Sequence, residues 1–362
     1  MANTPEKEDE NSLGLSSLYD PNPTPEEDLW FLAPRDEEES VSAMPWPTAA
    51  REDSLNPEIW QAAEAEEYQA LLPAAEAVAR LGARVQSFPA AVTERLALTS
   101  VAAILRGEGV WLGAEQIALY RALRILTDDR ARDLARAAWA VRRLCTPGGG
   151  PLEGLRAFLG RTSVTDPHDI PGDERPVGPE LDALSDEWAH VVQGLTNCHV
   201  LTRAAYGFAA WRTRALTPWD ELLEPTVAAM LLGGGSGCGF LPMGEGRLDR
   251  HAVEAGAGGA GTRLRNFYST VEAGAQRALM ELDRLATWQD RAQEAVRDLS
   301  GRTPPALIGA LLRYPILSAE LVTSETGCSV AAARRNLNLF VERGLVNELT
   351  GQDRYRFWSA TA

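Results

Sequence analysis

Lysine is all but missing from this chain of 362 residues: Lys7 is the single one, and the other 34 basic side chains are arginine. Chemistry that needs a lysine beyond the N-terminal region is excluded, whether a Schiff base or the lysine of a GxxxxGK[ST] phosphate loop. Paired cysteines are missing too. Cys145, Cys198, Cys238 and Cys328 stand far apart with no CxxC, and the four histidines make no HxxxH or HExxH spacing. Neither a zinc site nor a disulfide framework is indicated, and no metal or cofactor is expected. The sequence has no apolar run of about 18 residues, and it opens with acids where a signal peptide would be basic and then apolar. The expectation is a cytoplasmic protein with no membrane partner.

What is present is alanine and leucine at helical spacing, with few alternating β-branched segments outside the last twenty positions. This predicts an all-α fold, a multi-helix body with a C-terminal winged helix-turn-helix and a small two-stranded wing. The divisions expected are an acidic disordered tail (1–54), an N-terminal helical region (55–150), a linker (151–185), a second helical block ending in a long helix (186–300) and the winged domain (301–362). Fourteen acids and three bases in the tail carry about −11 of the formal charge of −16, so the remainder is only mildly acidic. Such a composition buries too little apolar area to offset its ordering entropy. Within it, DLWFLAP sets Trp30, Phe31 and Leu32 between acidic clusters. That string reads either as a docking motif for a protein partner or the chain's own body, or as a strand-like segment packed on the domain.

In the body, helices are predicted over 57–72, 73–88, 90–109 and 114–126, the last continuing after Thr127, Asp128 and Asp129 into 130–144. Pro57 and Pro73 are placed in first turns, where proline is tolerated. Arg121, Arg124, Arg130, Arg132, Arg136, Arg142 and Arg143 make the last helix basic, but interspersed aspartates favour a solvated face with local ion pairs over a phosphate groove. His190 and His199 are expected as packing residues. The run GGGSGCGF at 233–240 fails the GxGxxG pattern at Phe240, and a flexible loop is expected there and in the second glycine cluster at 255–261. Leu264, Phe267, Val271, Leu279, Leu282, Leu285, Ala292 and Ala295 keep a helical period, predicting one helix over 262–299. It either supports a homodimer or spans the body, and Gly274 is a place for it to bend.

The C-terminal stretch specifies a device. Ser318 caps a short helix, Gly327 supplies the left-handed turn residue, and Ser329 caps a second helix whose Val330, Ala333, Leu337 and Phe340 form a buried stripe ending at Gly344. The opposite face carries Ser329, Ala332, Arg335 and Asn338 with Arg334 on its flank, small residues and then donors suited to phosphates and base edges. LVNEL and RYRFW around TGQD make the wing, with Arg354 and Arg356 on one face. The string GCSVAAARRNLNLFVERGLVNELTGQDRYRFW is similar to the C-terminal winged helix appended to many bacterial Fic-type adenylylating proteins. The layout also resembles a bacterial family of uncharacterised proteins with a helical domain followed by a helix-turn-helix DNA-binding domain. These resemblances imply DNA binding at those seven residues. They do not imply adenylylation. Glu108 and Gly109 resemble the glutamate-glycine end of the Fic inhibitory helix, but Ile104 stands where that motif needs Ser or Thr. The catalytic string HPFxxGNGR is missing, and in NCHVLTRAAYGFAAWRTR His199 has no phosphate loop after it.

Three functions follow: a DNA-binding protein of the transcriptional or plasmid-regulator type; a protein-interaction module; and a catalytically degenerate Fic relative. On the first, the tail is a polyanion competing with phosphate for arginines over distances that salt screens. Deleting residues 1–54 should therefore tighten nonspecific duplex binding at low salt. Matched salt titrations of the two proteins measure this, and equal affinities would leave the tail with a docking role alone.

Overall fold

The computed structural model describes residues 53–89, 91–123, 130–161, 175–218, 220–234, 237–245, 259–351 and 355–362. The tail with Trp30, Phe31 and Leu32, the stretch 124–129 and the second glycine cluster up to residue 258 lie outside them. Among the described residues the chain is mostly helical, with one small sheet. The helices are α1 (Pro57–Glu66), α2 (Tyr68–Ser87), α3 (Thr93–Gly107), α4 (Ala114–Leu123), α5 (Ala131–Cys145), α6 (Leu155–Leu159), α7 (Gly178–Gly194), α8 (Val200–Thr213), α9 (Leu223–Leu232) and α10 (Ala260–Ala295). There follow α11 (Thr303–Arg313), β1 (Leu317–Ser318), α12 (Ala319–Thr326), α13 (Val330–Glu342), β2 (Val346–Glu348) and β3 (Phe357–Ala360). None of the described helices is long and apolar enough to cross a membrane.

At 36 residues, α10 is about 54 Å long at 1.5 Å per residue. Its apolar positions, from Leu264 and Phe267 through Val271, Ala275 and Leu282 to Trp288 and Ala292, are buried. Glu67 at the start of α2 pairs with Arg265, and Arg84 near its end pairs with Asp283 at 3.3 Å. Because both partners advance together along the chain, α2 and α10 run parallel.

The described part of the glycine run, from Gly237 on, is packed where a flexible loop was expected, because its tail is apolar. Phe240, Leu241 and Met243 are buried, and the Gly244 N–H donates to the Thr270 carbonyl at 3.0 Å. This segment crosses α10 backbone to backbone. A Cβ on Gly274 would stand 2.5 Å from the Pro242 carbonyl oxygen, and one on Gly244 would stand 2.7 Å from the Gly274 nitrogen. The two glycines permit that approach.

Other expectations are corrected. The break between the first two helices falls at Glu67, so Pro73 lies inside α2. Pro57, by contrast, does begin α1. The helix α7 starts at Gly178, inside the stretch read as a linker, because Leu181 and Trp188 need burial. Both His190 and His199 are exposed. Instead of packing, His199 caps α8, its Nδ1 accepting from the Leu201 N–H at 3.2 Å.

At the end of α3, where the helix was predicted to close at Glu108 and Gly109, Glu108 forms a cross-link. The Glu108 side chain is 4% exposed and pairs with Arg136 of α5 at 2.9 Å. One of its oxygens accepts from the N–H groups of Leu222 and Leu223, at 2.8 and 2.7 Å, where α9 begins. A carboxylate there also meets the positive end of the helix dipole. Glu221 and Glu224 adjoin, tied to Arg136, Arg161 and Arg175. Burial pushes the Glu108 and Glu224 carboxyls above their ordinary range, with the neighbouring arginines opposing it. Breaking such a pair leaves an uncompensated buried charge. Arg136→Met and Glu108→Gln should each lower stability, on the order of 3 to 5 kcal/mol for the arginine. The double variant should lose less than the sum by about 0.5 to 3 kcal/mol. Denaturant unfolding of the four proteins tests this, and strict additivity would remove the cross-link.

Candidate nucleic-acid interface

The C-terminal unit is built by local signals. Ser318 accepts from the Leu321 N–H at 3.2 Å and caps α12. Gly327, at φ 68°, ends that helix with its N–H on the Thr323 carbonyl. Two residues later Ser329 caps α13 by accepting from the Ala332 N–H at 3.2 Å. Ala333, Leu337 and Phe340 are fully buried along α13. Val330, expected in this stripe, is 39% exposed, because as the first residue of the helix it projects past the layer that covers the others.

The two strands expected as a wing belong to a three-stranded antiparallel sheet of order β1-β3-β2. The two-residue β1 pairs Leu317 with Trp358, and β2 pairs Glu348 with the same tryptophan. Strand alternation puts Leu317, Val346 and Trp358 on one face, all buried. Phe357 and Ser359 point the other way and are buried as well, and the Ser359 hydroxyl donates to Glu115 of α4 at 3.1 Å.

Further bonds fix the unit to the rest of the chain. Arg95 of α3 donates to the carbonyls of Leu311, Leu312 and Tyr314, acceptors that the end of α11 leaves without a helical partner. Burial lowers the Arg95 pKa to about 10, and the group stays charged at neutral pH. Trp288 of α10 donates its indole N–H to the Leu345 carbonyl at 2.8 Å, and Arg343 pairs with Asp298 at 2.6 Å.

The seven residues expected to touch DNA divide into four groups. Arg334, Arg335 and Asn338 are exposed on one side of α13, and neither arginine has an ion-pair partner among the described residues. Ser329 is exposed, with its hydroxyl engaged in the cap, and Ala332 is half-buried beside it. Arg356 departs from expectation. It pairs with Glu348 across the hairpin and lies over the Trp358 ring, 5.0 Å from its centroid, and it holds the Glu348 carboxyl below the usual range. Arg354 lies outside the described residues. The sequence reading missed Tyr355, 74% exposed at φ 58°, a conformation unusual for a bulky side chain. Its only sequence trace is its place after TGQD.

Elsewhere the groups offer little chemistry. Burial raises the thiols of Cys145, Cys198 and Cys238 to about 11, so they are protonated at neutral pH and weak nucleophiles. Among the described residues no cluster of histidine, cysteine and carboxylate groups is placed to hold a metal ion. No protein-family model matches this chain, and no curated protein matches it.

Proposed function

We propose that this protein binds duplex DNA through residues 301–362, as a transcriptional or plasmid-type regulator, with α13 entering the major groove. The observation that carries this reading is the exposed face of Arg334, Arg335 and Asn338, bidentate or amide donors whose arginines have no ion-pair partner among the described residues. Such side chains on a helix suit phosphates and base edges. The chain order of helix, strand, helix, helix and two strands, with β3 central, supports a winged helix-turn-helix. The resemblance to the winged helix of Fic-type proteins points the same way.

The electrostatic footprint is weak for a monomer. Of seven arginines in 302–362, Arg313, Arg343 and Arg356 are paired with Glu325, Asp298 and Glu348. A homodimer would double the phosphate contacts. It would use the outer side of α10, where Met280 is exposed, because the apolar stripe of that helix is already covered within the chain. Trp30, Phe31 and Leu32 are assigned to a protein partner.

A second reading, an interaction module without DNA binding, is favoured by Val330 and Val341, each 39% exposed on α13. The test is binding of the full chain to a pool of random duplexes across a salt series. Arg335→Ala should cost on the order of 1 to 3 kcal/mol and relax preference at one position. Arg334→Ala should weaken all sequences alike and lower the salt slope by roughly one. Arg356→Ala should do less than either, since Glu348 already neutralises that charge. Wild-type behaviour of both α13 variants, or no salt-dependent binding by the wild type, hands the site to the interaction reading. Labelled nucleotide should not be transferred to the protein itself or to extract. Transfer abolished by His199→Ala would restore the Fic reading.

A further inference from the structure

Between the start of α12, the side of α13 and the hairpin lies a small cleft lined by Ala319, Glu320, Arg334, Tyr355, Arg356 and Trp358. Its donors outnumber its acceptors. Arg334 has no ion-pair partner among the described residues, and the first-turn N–H groups of Ala319 and Glu320 have no acceptor within their helix. The most telling group is Trp358. It is 1% exposed, yet its indole N–H is buried with no hydrogen-bond partner. Buried indole N–H groups ordinarily find an acceptor. Tyr355, held at positive φ, adds an exposed phenol to the wall, and strain of this kind gathers where ligands are gripped.

We infer that this cleft is a phosphate site, in which one phosphate group accepts from Arg334, the Trp358 indole N–H and the start of α12. Glu320 and Glu348 offset the charge of Arg356 and Arg334 in part, so the site selects a hydrogen-bonding oxyanion of a few heavy atoms over diffuse negative charge. The inference deepens the DNA reading by naming where the backbone is gripped, and it rests on that reading only for the source of the phosphate. A backbone phosphate and a free phosphate offer the same oxygens.

The test uses the full chain with 15N-labelled indoles. The Trp358 N–H resonance is identified by its loss in Trp358→Phe and followed at constant ionic strength as chloride is exchanged for inorganic phosphate. A random-sequence duplex is titrated separately. Movement of that one resonance with both ligands, with the movement lost in Arg334→Ala, is the expected result. Arg334 is exposed, so this variant keeps its fold, and the nine other tryptophans report on that. Movement with phosphate but neither movement nor binding with duplex keeps the site and removes DNA as its source. Salt-dependent duplex binding with an unmoved resonance in both arms overturns the phosphate site and leaves the DNA reading standing. An unmoved resonance with no duplex binding ends both. Movement that persists unchanged in Arg334→Ala also overturns the site.

Discussion

The burial of one apolar stripe along α10 is the constraint on which the rest of the molecule depends. An isolated helix of that length gains little from propensity and needs tertiary cover for its stability. Its first two thirds are covered by α1, α2 and α8, and its last turns carry Trp288 to the Leu345 carbonyl in the C-terminal unit. One rigid element therefore serves two partners. The crossing at Gly244 and Gly274 belongs to the same constraint, since a methyl at either position would push the covering segment off the helix.

Arginine does two kinds of work here, and the partners decide which. Inside, Arg136 sits among Glu108, Glu221 and Asp133 and joins α3, α5 and α9. Arg95 closes the end of α11 with three carbonyls. In both places the planar fork of the guanidinium reaches several acceptors at once, which a lysine ammonium does less well. On α13 the same side chain faces solvent, with no carboxylate paired to it among the described residues. An exposed arginine has its charge available to a ligand, whereas Arg356, bound to Glu348, has much of it cancelled.

What could be read from the sequence is what local rules decide. The caps at Ser318 and Ser329, the left-handed Gly327, the stripe of Ala333, Leu337 and Phe340, and the span of α10 all follow from neighbours within a few positions. The exposure of Arg334, Arg335 and Asn338 follows from the same periodicity. What was not legible depends on distant partners. Nothing near Glu108 announces Leu222 or Arg136. Pro73 looked like a helix start because the break at Glu67 has no sequence mark. The apolar tail of the glycine run was the one overlooked signal, since Phe240, Leu241 and Met243 have no reason to sit in a flexible loop. The two residues of β1 are too few to show a period, and the neutralisation of Arg356 needs the pairing of β2 with β3.

The docking of the sheet narrows how the C-terminal unit can meet any ligand. One face of the sheet buries Leu317, Val346 and Trp358, and on the other Phe357 and Ser359 are buried, with Ser359 on Glu115 of α4. On that second face Asn347 of β2 stays exposed. The outer side of α13 and Tyr355 are accessible and are joined by the cleft over Trp358. Arg95, Arg343 and Trp288 fix that surface in angle as well as place, because each bonds a different part of the unit to a different point of α3, α10 or the residues just after it. The helical body thus sets the orientation of α13. Any change that loosens those bonds alters how α13 is presented, while every residue on its exposed face stays the same.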